Sequence, residues 1–126
     1  RLLRAHRELA PYLASLLDGP DALAPATAGV PSTTATSLTT LGTAMTPGGH
    51  GVVGFTSRIP GTDKLLNALM WSKDVDPHAW QPHPTAFARL AGAGVQVTTV
   101  SKREFAGSGL TEVSQRGAAF VGADRM

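Results

Sequence analysis

The chain has 126 residues, 42% hydrophobic and 16% charged, which fits one small folded domain and excludes a charged disordered tail. Its net charge is only +2 and its eleven Lys and Arg are scattered, so no basic run tracks a nucleic-acid polymer. The absence of cysteine excludes a disulfide framework, a thiolate metal site and a cysteine nucleophile, and no stretch approaches the roughly 20 apolar residues of a membrane span.

Leu2, Leu3, Leu9, Leu13, Leu16 and Leu17 recur at helical spacings over residues 2–18. Pro11 divides that run, so two short helices are predicted, the second opening at the proline. Residues 19–31 are small and Pro-rich and read as a loop.

The least ordinary segment is PSTTATSLTTLGTAMTPGGHG, residues 31–51, with nine hydroxyl residues between Ser32 and Thr46. A low-complexity linker is one reading. Ala35, Leu38, Leu41 and Met45, however, recur at intervals of three and four, which predicts a helix with those residues inward. Thr33 or Thr34 then falls at the N-cap, and Pro47-Gly48-Gly49 ends the element. Threonine is a mediocre helix former, so this helix depends on burial.

His50 to Ile59 reads as a strand ending at Pro60-Gly61, and Leu65 to Trp71 as a short apolar run, strand or helix. Asp74 to Pro84 is a loop with several prolines. A helix follows from Pro84, with Phe87, Leu90 and Ala91 inward and Gly92 and Gly94 closing it. Val95 to Val100 alternates as a half-buried strand, and a short helix is predicted near Leu110 to Arg116. Helices alternating with strands argue an α/β fold.

A threonine at a helix start is a candidate nucleophile. The helix dipole and free N–H groups stabilise negative charge there, although the alcohol still needs a base or a metal. The bland reading is that Thr33 or Thr34 only caps the helix. Asp76, His78 and His83 fall close together, but their spacing matches no compact zinc motif. His50, between glycines, reads as a structural turn histidine. Trp71 and Trp80 read as core or edge anchors. The glycines at 48, 49, 51 and 54 form no phosphate loop, since no Gly-Lys-Ser/Thr follows.

Taken together, residues 30–54 resemble the nucleophile region of the type I phosphodiesterase / nucleotide pyrophosphatase family, in the alkaline phosphatase superfamily. The matching features are Val30-Pro31, Thr33-Thr34, Thr43-Ala44, Pro47 and His50-Gly51. Counting back from His50-Gly51 without gaps places Thr34 on the family's nucleophile, with Thr33 the fallback. Looser similarity runs from Pro31 to Asp124.

The resemblance implies a phosphoric ester hydrolase acting on a small-molecule phosphate ester through a phospho-threonine intermediate. It implies two divalent metal ions, usually zinc, with Thr34 contacting one of them. It also implies an alkaline-phosphatase-like sandwich, with a mostly parallel sheet flanked by helices. No acidic or histidine residue here matches the family's metal ligands, and Phe55 stands where the nucleotide pyrophosphatase branch places an Asn. The expectation is therefore a single partial domain over residues 1–126, truncated at both ends, carrying the nucleophile and inactive alone. The rival readings are a non-catalytic α/β interaction module and a small metalloprotein using Asp76, His78 and His83. Oligomeric state is left open, and the compartment leans to the cytoplasm.

Overall fold

The computed structural model describes residues 2–19, 22 and 27–124. The N-terminal leucine run divides at Pro11 as predicted: α1 (Leu2–Ala5), a 3-10 turn (Arg7–Leu9) and α2 (Pro11–Ser15). Among the described residues of this segment only Ala14 is buried, while Leu2, Leu9, Leu13 and Leu16 face solvent. Of the loop predicted for residues 19–31, residues 20, 21 and 23–26 lie outside the described residues, and the rest hold no helix or strand.

The hydroxyl-rich segment is a helix, α3 (Thr34–Thr43). It ends where Ala44 turns left-handed at φ 57°, before Pro47-Gly48-Gly49 is reached. Pro47 instead opens a single-turn helix, α4 (Pro47–His50), because the first turn needs no N–H from that residue. His50 therefore closes a helix rather than starting a strand.

The strand that follows is shorter than expected. β1 (Thr56–Arg58) pairs antiparallel with β2 (Leu65–Asn67), Ser57 opposite Leu66, across a turn holding Pro60-Gly61. Gly61 sits at φ +74°, where a side chain would be strained. The proline-rich segment holds another single turn, α5 (Pro77–Trp80), capped by the Asp76 carboxylate on the His78 N–H at 2.9 Å.

α6 (Ala86–Gly92) starts one residue past its cap, Thr85, whose hydroxyl accepts the Ala88 N–H. Phe87 is half-buried, but Leu90 and Ala91 are exposed, against expectation. β3 (Thr98–Lys102) lies three residues beyond the predicted strand start. A 3-10 turn (Arg103–Phe105) and α7 (Gly109–Gln115) then lead to β4 (Ala119–Ala123), which pairs parallel with β3, Val100 opposite Val121. This β-α-β crossover is what a parallel pair requires. The α/β class stands, with the strands in two separate two-stranded sheets rather than one mostly parallel sheet.

The largest correction concerns the buried face of α3. Leu41 is 71% exposed, whereas Thr36, Thr39 and Thr43 are fully buried beside Ala35 and Gly42. The cause is the packing of α3 on α7. A Cβ on Gly42 would lie 1.6 Å from the Ser114 carbonyl oxygen, so only glycine admits this approach. The hydroxyls on this face donate back to their own helices: Thr39 to the Ala35 carbonyl at 2.8 Å, Thr43 to Thr39 at 2.7 Å, and Ser114 to Leu110 at 2.6 Å. Buried hydroxyls satisfied this way carry little desolvation cost, so small polar residues can line a tight helix contact.

Ala35, Val52, Ala68, Leu110 and Val113 form the apolar core, with Leu38, Trp71 and Trp80 packed against it. The two indoles meet edge to face at 6.2 Å and the Trp71 Nε1–H donates to the Val75 carbonyl, so both act as core anchors. The chain presents 8807 Å² to solvent. A compact monomer of 13.0 kDa presents about 6,300 Å². Among the described residues no helix is long and apolar enough to cross a membrane.

Candidate active site

Two adjacent threonines meet at the start of α3, and the backbone gives them different tasks. Thr33 is extended, at φ −114° and ψ 158°, and is the N-cap. Its Oγ1 accepts the Thr36 N–H at 3.2 Å and donates to the Thr36 hydroxyl at 2.9 Å. Thr34 is the first helical residue and is exposed. Among the described residues its hydroxyl makes no hydrogen bond, and the N–H groups of Thr34 and Ala35 also lack partners.

Thr34 opens onto a groove of about 470 Å³, walled mainly by Leu38, Met70, Phe105 and Leu110. Glu104 is its single titratable lining side chain, and it pairs with Lys102 at 3.6 Å. Negative charge arriving at Thr34 therefore meets the positive end of a ten-residue helix and two unpaired N–H groups. A free hydroxyl in this place is sterically able to attack an electrophile, but nothing bonded to it takes its proton.

His50 is held against the same helix at Thr40 and is 2% exposed. Its Nδ1 accepts the Val52 N–H at 3.1 Å. An amide can only donate, so Nδ1 is bare and the ring proton sits on Nε2, which donates to Thr40 Oγ1 at 2.9 Å. Burial pushes this imidazole below its ordinary value, and nearby His83 acts in the same direction. His50 is thus a neutral strut between α4 and α3, the structural role read from its place between glycines.

Asp76, His78 and His83 do not converge. The Asp76 carboxylate caps α5, His78 Nε2 lies 3.8 Å from the Glu112 carboxylate, and the His83 N–H is bound by the Gln81 side chain at 2.6 Å. Among the described residues no three His, Asp or Glu side chains come together in a group able to hold a metal. Thr34 offers one hydroxyl, which alone does not fit a two-metal centre. Phe55 is half-exposed, and its carbonyl accepts the Ala68 N–H at 2.7 Å.

A buried polar knot steadies the scaffold and was not anticipated from the sequence. The Gln81 side chain, fully buried, donates to the Val113 carbonyl at 2.9 Å. Arg116 donates to the Gln81 carbonyl at 2.8 Å and also to that of His83, while the buried Thr85 hydroxyl donates back to the Arg116 carbonyl. The sequence signal for this knot is absent, since isolated Gln, Thr and Arg residues normally read as surface.

The family model described as type I phosphodiesterase / nucleotide pyrophosphatase matches residues 1–115. No curated protein and no solved structure matches the chain.

Proposed function

The chain belongs to the type I phosphodiesterase / nucleotide pyrophosphatase family, and on that premise we propose that Thr34 is the nucleophile of a hydrolase acting on small-molecule phosphate esters. The supporting observation is the exposed, unbonded Thr34 hydroxyl at the first position of α3, with the capping task taken by Thr33. Thr34 Oγ1 attacks phosphorus in line. A P–O bond to Thr34 forms as the bond to the leaving alcohol breaks, and water then cleaves the phospho-threonine. The Thr34 and Ala35 N–H groups face the charge that builds on the phosphoryl oxygens.

Two divalent ions, zinc by the family resemblance, belong to this reading. Among the described residues no group of His, Asp or Glu could hold them, and in this reading their ligands are not among the 126 residues, which leaves this chain inactive alone. The parallel β3–α7–β4 unit is, in this reading, one repeat of a larger alkaline-phosphatase-like sheet.

The test is made on the protein at its natural length with a chromogenic aryl phosphodiester. Thr34→Ala is expected to lower kcat by at least about 10³-fold. Acid quench during turnover of a labelled substrate should leave label on Thr34. Full activity in Thr34→Ala, or label on a different residue, would overturn the assignment. Zinc-dependent cleavage by the 126-residue chain would overturn its inactivity.

A further inference from the structure

We infer that Thr33 is a positioning residue for the reaction, one that selects which of two adjacent hydroxyls reacts. The inference rests on the Thr34 reading and deepens it. Thr33 Oγ1 has one proton, and that proton goes to the Thr36 hydroxyl at 2.9 Å. Its lone pair takes the Thr36 N–H at 3.2 Å. Thr36 is fully buried, so both bonds end on a partner packed in the interior. The Thr33 N–H is also held, by the Pro31 carbonyl at 3.1 Å. Backbone and side chain of Thr33 are therefore both anchored, while the Thr34 hydroxyl beside it has no partner among the described residues.

This arrangement does two things. It turns the Thr33 hydroxyl into the helix and away from nucleophilic use. It also fixes the first turn of α3, so that Thr34 Oγ1 and the unpaired N–H groups of Thr34 and Ala35 keep one geometry toward an incoming phosphoryl group. Removing the Thr33 hydroxyl strands a buried hydroxyl at Thr36 and frees a third N–H, which lets the first turn fray.

The discriminating pair is Thr33→Ala and Thr33→Asn, in the protein at its natural length. Asparagine caps as well as threonine and carries both an acceptor and a donor, but has no alcohol to phosphorylate. Both variants are assayed well below their melting temperatures with the aryl phosphodiester, and labelled intermediates are mapped. Thr33→Ala is expected to lower kcat about tenfold with KM within about twofold of the wild type. Thr33→Asn is expected to restore kcat to within about twofold, with label still on Thr34. An unchanged kcat in Thr33→Ala, with only a lower melting temperature, would show a role in stability alone and overturn the inference. So would a Thr33→Asn variant as slow as Thr33→Ala. Failure of the underlying Thr34 reading is visible separately, as an active Thr34→Ala enzyme or wild-type label on Thr33.

Discussion

The α3–α7 pair and the N-terminal segment invert the usual relation between hydropathy and burial. In the helix pair, Thr36, Thr39, Thr43 and Ser114 are fully buried. In the N-terminal segment, Leu2 and Leu9 are each 78% exposed. The difference lies in how closely backbones approach. Gly42 lets α3 settle directly on the Ser114 backbone, and at that separation only small side chains fit. The Thr39, Thr43 and Ser114 hydroxyls stay satisfied by carbonyls four residues back in their own helices, and the Thr36 hydroxyl accepts that of Thr33. The N-terminal elements are single turns packed chiefly on one another, so Leu2, Leu9, Leu13 and Leu16 stay exposed. Burial follows shape and the presence of a partner first, hydropathy second.

The largest test of this contrast is Gly42→Ala. The added methyl would overlap the Ser114 carbonyl, and both atoms belong to stiff helices. We expect a loss of at least about 3 kcal/mol in chemical denaturation, since neither backbone can yield without moving a helix. A loss below about 1 kcal/mol would mean that the close contact does not hold the pair together.

An intermediate effect is expected from acid. The folded-state His50 lies below its ordinary value of 6.5, so the unfolded chain binds the proton more readily. Stability contributed by neutral His50 is therefore full above that value and declines as pH falls below it. Protonation also places a hydrogen on Nδ1, against the Val52 N–H it now accepts. The melting temperature should drop as pH is lowered below 6.5, and His50→Gln should flatten that part of the profile. An equally steep profile in His50→Gln would assign the acid sensitivity to other groups.

The smallest effect belongs to the exposed leucines. Leu9→Ser should change the stability of the 126-residue chain by no more than about 0.5 kcal/mol. A larger loss would show that the N-terminal segment packs in solution and would narrow the contrast between the two regions.

Much of the local structure is legible in the sequence. Pro11 at a helix start, a threonine cap at residue 33 or 34, the Pro60-Gly61 turn and a helix near 110–116 all emerge from turn and cap chemistry. Their hydrogen bonds close within a few residues, so near neighbours suffice to read them. The single turns α4 and α5 fall below the length at which periodicity shows. β4, with the sequence AFVGA, has no clean alternation and becomes a strand by pairing with β3. Spacing and hydropathy together place Ala35, Leu38, Leu41 and Met45 on the inward face of α3. The assignment failed at Leu41 because the partner helix demands small residues.

The candidate site divides the same way. Sequence alone brought the chain to the phosphodiesterase family and narrowed the proposed nucleophile to two neighbouring threonines, through a motif running from Val30 to Gly51. It also marked His50 as structural. Tertiary structure decided that Thr36, the partner of the Thr33 hydroxyl, is buried, that Thr34 faces a groove, and that His50 carries its proton on Nε2. It decided too that Asp76, His78 and His83 stay apart. Caps and turns are set by bonds between residues a few positions apart, which any reading of the chain contains. Burial, side-chain exposure and the convergence of ligands depend on segments as distant as Gly42 and Ser114 coming within contact, and only the folded chain specifies that distance.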